Sequence, residues 1–287
     1  MHLPFELIMI FFLHLNRCMA APTLAGRDAD FESVRTRLDK SFVDAEPDHP
    51  NKYFHESTFH QHYDGRFADQ PLKYDEKQES LAALIRTYLS TMRDIGVETW
   101  LMHGTLLGWY WNRKNMPWDS DLDVMVAESS IYFLASYYNM TIHHFRTRGS
   151  KIGRKYLLEI NSHFQESELD KENRIDARWI DTDNGLFIDI TTLRSNRTAV
   201  ALGNSDAMMV KDNHHYTFDD IYPLRESEFE GTPVLLPFAY ADVLIEEYGD
   251  HALSDVYHDN HHFDVEKDAW VPQKMVVLSS GYDEQKT

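Results

Sequence analysis

One cysteine, Cys18, in 287 residues rules out an intramolecular disulfide and any cysteine-built zinc knuckle. Basic residues are scarce as well: Lys+Arg number 28 against Asp+Glu 47, for a formal charge of −19. Phosphate backbones demand a basic surface, so binding to duplex DNA or RNA is excluded as the main role. A nucleotide substrate is not excluded, because a metal ion can screen a diphosphate locally. Long apolar runs are missing too. The N-terminal stretch 3–15 (LPFELIMIFFLHL) falls short of the ~20 residues that a membrane helix needs. Neither an internal repeat nor a low-complexity block is found. What is present is a hydrophobic content of 43% and an aromatic content of 13%, which exclude a mostly disordered chain and suffice for a sizeable core.

The run 3–15, followed by Arg17 and the small residues Ala20 and Ala21, reads as a secretory leader over residues 1–20. Glu6 inside it, and the lack of a preceding Lys or Arg, leave an uncleaved signal-anchor, a buried helix or a mis-started reading frame as alternatives. Cleavage after Ala20 would leave a mature chain without cysteine. Two sequons, Asn139-Met140-Thr141 and Asn196-Arg197-Thr198, are candidate N-glycosylation sites; the alternative is an unmodified surface Asn. The expected localisation is the secretory pathway, in the Golgi lumen or membrane, or secreted if the leader is cut. Membrane association would run through the N-terminal segment.

Residues 21–74 lack sustained periodicity but carry Tyr53, Phe54, Phe59, Tyr63 and Phe67, so they read as an irregular extension packed on the domain. A catalytic domain is expected over 75–278 and a flexible tail over 279–287. Its first element is a helix: Leu81, Leu84, Ile85, Tyr88, Leu89, Met92 and Ile95 recur at i, i+3, i+4 spacing, with Asp75 as cap, Gln78 three residues on, and Gly96 as terminator. Strands are expected at 97–102, 122–126, 141–145, 156–160, 177–181 and 186–191. Helices are expected at 105–112, 129–138 and 241–248. This alternation implies an α+β (α/β-like) fold with a mixed sheet flanked by helices.

The most informative stretch joins His103-Gly104-Thr105 to Asp119-Ser120-Asp121-Leu122-Asp123-Val124. In an extended strand, residues i and i+2 share a face. Asp121 and Asp123 would then point together while Leu122, Val124 and Val126 enter a core. Two adjacent anions repel unless a cation lies between them, and a divalent metal carrying a phosphate is a common solution. Gly104 lets backbone amides approach a phosphate, the Thr105 hydroxyl can donate to it, and His103 abuts the turn. Asp189, inside apolar Leu186-Phe187-Ile188-Asp189-Ile190, is a third ligand, a general base, or a hydrogen-bonded core acid. Asp119 either joins the metal or substrate or stays in the loop. Arg113 and Lys114 either neutralise phosphate or form a solvated basic loop. Trp109, Trp111 and Trp118 wall a base or sugar pocket, or are core. The remaining histidines, several adjacent in sequence, show no zinc spacing and read as surface or hydrogen-bonding residues.

The run HGTLLGWYWNRKNMPWDSDLDVMV resembles the LicD/fukutin-type branch of the nucleotidyltransferase-fold proteins. The similarity continues through LFIDI, Tyr222-Pro223-Leu224, Phe229-Glu230-Gly231 with Pro237, and Tyr248-Gly249-Asp250, covering roughly residues 75–255. Flanking text such as NRIDARWID is most like fungal proteins tied to mannosyl-phosphate addition. The resemblance implies a nucleotidyltransferase-type sheet and transfer of a phosphorylated alcohol from a nucleotide diphosphate donor to a sugar hydroxyl, with Mg²⁺ or Mn²⁺. Gly104 and Thr105 match the phosphate turn, Asp121 and Asp123 the metal pair, Asp189 the third acid. GDP-mannose is the favoured donor and a glycan or glycoprotein the acceptor. CDP-choline or CDP-ribitol are alternative donors, and a non-catalytic regulator partnering a glycosyltransferase is the rival role.

Overall fold

In the computed structural model, the residues described are 40–43, 45, 49, 51–146, 153–165 and 170–273. The expected leader with Cys18 and the expected tail at 279–287 lie outside them. Among the described residues no helix is long and apolar enough to cross a membrane.

The first helix, α1 (Tyr74–Asp94), buries Leu81, Leu84, Ile85, Tyr88, Leu89 and Met92 on one face, as the periodicity requires. Each such side chain contributes about 1.5–3 kcal/mol by leaving water. The start differs from expectation. The cap residue is Lys73, with no side-chain cap bond, and Asp75 sits inside the first turn, where its charge favours the helix dipole. Gln78 makes no capping box, because its Nε2 donates instead to the carbonyl of Pro117. Gly96 follows the helix with φ +74°, as its place after the last apolar position implied.

The chain continues through β1 (Thr99–Leu101), α2 (His103–Asn112), β2 (Asp123–Ala127), α3 (Glu128–Tyr137), β3 (Thr141–Phe145), β4 (Arg154–Ile160), β5 (Ala177–Asp181) and β6 (Phe187–Ser195). The short α4 (Arg197–Ala201), β7 (Ala207–Met209), β8 (His215–Thr217) and α5 (Phe218–Ile221) come next. They lead to β9 (Arg225–Phe229), β10 (Thr232–Leu236) and α6 (Tyr240–Tyr248). A separate antiparallel sheet, β11 (Tyr257–His258), β12 (His261–Asp264) and β13 (Ala269–Pro272), closes the described part.

The main sheet has the order β3-β4-β5-β6-β2-β1-β10-β9, with β7 on β6 and β8 on β7. It is mixed: β2–β6 and β1–β10 run parallel, the other described pairs antiparallel. Val124, Met125 and Val126 are all buried, so β2 is covered on both faces. Helix α1 packs on β5, β6 and β10, while α3 packs on β2 and β6. This is the α+β architecture with a mixed sheet and flanking helices that the alternation of elements implied.

Residues 51–73 lie against the far half of this sheet. Phe54 and Tyr63 are buried, and Tyr63 bridges to Leu186. The buried guanidinium of Arg66 joins Asp64 and Glu159, each at 2.6 Å.

Candidate active site

Two strands and one helix start build the centre. Asp123 opens β2 and Asp189 lies in β6, and the parallel register sets them opposite one another. Their backbones are pinned. The Asp189 N–H donates to Leu122 O (2.9 Å), and the Asp123 N–H donates to Thr105 Oγ1 (2.8 Å). Thr105 is buried, so its hydroxyl braces β2 from α2. Asp121 precedes β2 rather than lying in it, and is the more exposed acid. Gly104, in the first turn of α2, comes so close to Asp119 that a Cβ there would be 3.2 Å from Asp119 Oδ2.

The acids therefore share one neighbourhood. Burial pushes the Asp123 carboxyl well up, Asp121 adds to this, and Asp189 and Asp119 add further; His103 opposes them. Burial, reinforced by Asp121 and opposed by Lys77, raises Asp119 to about 7. Burial raises Asp189 against the pull of Arg178. Among the described residues no Lys or Arg pairs with Asp123. A half-buried carboxylate facing three other acids, all with oxygen donors, fits a divalent cation. The oxygens of Asp121, Asp123 and Asp189 do not, however, all come within 4.8 Å of one another. Among the described residues that closeness is reached only by His103, His214 and Glu247.

Several members of the centre left little trace in the sequence. Arg178 of β5 is in register with Asp189, and its Nε donates to Asp189 Oδ1 at 2.7 Å. The same guanidinium pairs with Glu56 Oε1 at 3.1 Å and lies over the rings of Phe187 and Phe54. His62 sets Nε2 3.4 Å from Asp121 Oδ2 and Nδ1 2.6 Å from Ser120 Oγ. Lys77 Nζ donates to the carbonyl of Asp119, and both Asp119 and Asp121 draw on its charge. A charged residue in the apolar strand Ala177–Asp181 was the one available signal for Arg178; nothing local marked His62 or Lys77.

The basic loop is not part of the centre. Arg113 caps the C-terminal end of α2 with φ +61°, about 15 Å along a ten-residue helix from the Gly104 turn. It and Lys114 are exposed and make no described ion pair with the acids. The tryptophans divide. Trp111 and Trp118 wall a cavity of about 320 Å³ together with Trp270, Tyr248, Tyr257 and His258, and Gly104 and Asp119 also line it. Trp109 instead packs on Tyr240 and donates to Ser227.

His103 is held at φ +52° beside the turn. Its Nδ1 lies 2.8 Å from Glu247 Oε1 and its Nε2 3.6 Å from Asp212 Oδ2. Burial pushes its pKa down, but Asp212 and Glu247 outweigh burial and lift it to about 10. His103 is thereby drawn toward its charged form, and its charge opposes the upward shift of Asp123.

Residues 96–239 match the family described as LicD/FKTN/FKRP, nucleotidyltransferase domain. Two similar proteins come from Saccharomyces cerevisiae. Mannosyltransferase regulator 4 is 33% identical over 166 residues, which are 54% of this chain and 14% of that protein. Mannosyltransferase regulator 14 is 29% identical over 207 residues, 63% of this chain and 21% of that protein. The chain spans well under a quarter of the length of either relative.

Proposed function

Because the chain belongs to the LicD/FKTN/FKRP nucleotidyltransferase-domain family, we propose that it transfers mannose 1-phosphate from GDP-mannose to a glycan mannose in the secretory pathway, with Mg²⁺ or Mn²⁺. The observation that carries this reading is the in-register pair Asp123 and Asp189 beside Asp121, next to the Gly104 turn and the aromatic cavity.

When bound, a divalent cation supplies charge neutralisation of the diphosphate and polarisation of phosphorus. Asp121 and Asp123 are the residues that would hold it, with Asp189 or Asp119 as third acid. Gly104 gives the diphosphate close backbone approach, and Trp111, Trp118 and Trp270 enclose the donor's base or sugar. Arg178 keeps one oxygen of Asp189 engaged, so the other is the one that takes the acceptor's proton. The acceptor oxygen bonds to the mannose-bearing phosphorus, the P–O–P bond breaks, and GMP leaves with the electron pair. Asn139 and Asn196 both use the side-chain oxygen for backbone hydrogen bonds, which leaves the amide nitrogen for a sugar.

A regulatory role has specific support in the names of the two yeast relatives, both mannosyltransferase regulators. Purified full chain, Mn²⁺, GDP-mannose and a mannoside acceptor distinguish the readings. GMP release that needs Asp123 supports catalysis. Turnover with CDP-choline or CDP-ribitol alone reassigns the donor. No turnover with any donor, but restored glycan phosphorylation in cells by an Asp121→Asn/Asp123→Asn double variant, establishes the regulator.

A further inference from the structure

We propose that His103, His214 and Glu247 form a second cation site, of the mixed nitrogen–oxygen kind suited to Zn²⁺, separate from the oxygen-only acid cluster. It stands on its own geometry and does not rest on the reaction proposed above.

Three distant parts of the chain supply it: the start of α2, the residue ahead of β8, and the last turn of α6. One ligand atom from each residue comes within 4.8 Å of the other two. The two imidazole rings lie with centroids 4.9 Å apart. Two imidazoles and a carboxylate are the donor set of many four-coordinate zinc sites, whereas Mg²⁺ takes oxygen alone.

The surroundings match as well. Ligating histidines nearly always turn their other ring nitrogen to a carboxylate, a backbone carbonyl or water. Asp212 is the carboxylate beside both rings, at ion-pair distance and outside hydrogen-bond geometry: Oδ1 lies 3.1 Å from His214 Nδ1 and Oδ2 lies 3.6 Å from His103 Nε2. The opposite nitrogen of each ring is then the coordinating one, and His103 Nδ1 already faces Glu247. Three polar atoms at this place have no hydrogen-bond partner among the described residues: Glu247 Oε2, the hydroxyl of Tyr216 and His214 Nδ1. Tyr216 is 92% buried and its ring lies beside that of His214. An orphaned buried oxygen at a His–Glu cluster is what a missing fourth ligand or its bound water would satisfy. The His214 side chain is 41% exposed and gives an entry path.

The site would staple α2 at the residue before Gly104 to α6 and to the β7–β8 connection. Glu247 lies beyond the stretch matched by the family, residues 96–239.

The test is zinc titration of the full chain after chelator dialysis, with metal content by mass spectrometry and X-ray absorption on the zinc-loaded protein. One zinc per chain with nitrogen scatterers is expected. His214→Ala and Glu247→Gln should each weaken binding at least tenfold, and Asp212→Asn by about 10–100-fold. Asp121→Asn/Asp123→Asn should leave it unchanged. Circular dichroism establishes that each variant is folded; His214→Ala, at a partly exposed side chain, is the variant on which the decision rests. Zinc retained by folded His214→Ala, zinc lost in the double Asp variant, an oxygen-only shell, or no stoichiometric zinc would each overturn the assignment.

Discussion

Asp123 and Asp189 stand directly opposite one another on neighbouring parallel strands, β2 and β6, yet among the described residues only Asp189 has a cationic partner at ion-pair distance, Arg178. One of two adjacent carboxylates is paired directly, while the other faces acids with His103 alone opposing them. That asymmetry underlies the predictions below.

Replacing Asp123 by Asn should remove repulsion from Asp121, Asp189 and Asp119 in metal-free buffer. Relief of about 1 kcal/mol raises Tm by roughly 2–4 °C in a domain of this size class. Mn²⁺ should raise the Tm of the native chain, because a ligand bound only to the folded state stabilises it. In Asp123→Asn that rise should vanish, and differential scanning fluorimetry reads both effects. An undiminished Mn²⁺ response would remove Asp123 from the cation's ligands.

Arg178→Met strips the partner from two acids at once, Asp189 and Glu56. Breaking a buried pair from one side costs about 3–5 kcal/mol. Urea titration should show the midpoint falling accordingly. Arg178→Lys should recover only part of this, since an ammonium cannot reproduce the guanidinium fork or its stacking over Phe187.

Glu56 gives the N-terminal segment an acid-sensitive fastening. Burial raises its pKa, but Arg178, then Lys52 and Lys40, outweigh burial and bring it from 4.5 to about 2. A depressed folded-state pKa stabilises above pH 4.5 and loses that contribution as pH falls from about 4.5 to about 2. Its size is about 3 kcal/mol. The stability difference between native chain and Glu56→Gln, measured by urea titration, should therefore be large at pH 7 and shrink toward pH 2. A difference independent of pH would mean that the charge is not what fastens the segment.

The two glycines of α2 should behave differently. A Cβ on Gly108 would sit 2.5 Å from the backbone oxygen of Lys114, which cannot swing away. Gly108→Ala should cost about 1–3 kcal/mol by overpacking. On Gly104 the obstacle is a side-chain oxygen of Asp119 at 3.2 Å, which can give. Gly104→Ala should fold, with weakened GDP binding by calorimetry.

Much of the frame could be read from residue order. The periodicity of α1, the acid-bearing strands and the stop at Gly96 are local facts, set by which side chains recur on one face. Arg178 carried the same local signal as Asp189, a charge in an apolar strand, but was not singled out, because nothing in the spacing pairs the two strands. The strands after β6 were not anticipated. They are two to five residues long, too short for a period to emerge.

The sequence by itself determined the four longer helices, the main strands and the presence of paired acids near a glycine turn, because spacing within one element decides which way its side chains face. Tertiary structure alone decided that Arg178 answers Asp189 while Arg113 stands apart from the acids, that Lys77 and His62 flank Asp119 and Asp121, and that His103 meets His214 and Glu247. Those encounters depend on strand register and helix placement, which join residues far apart along the chain.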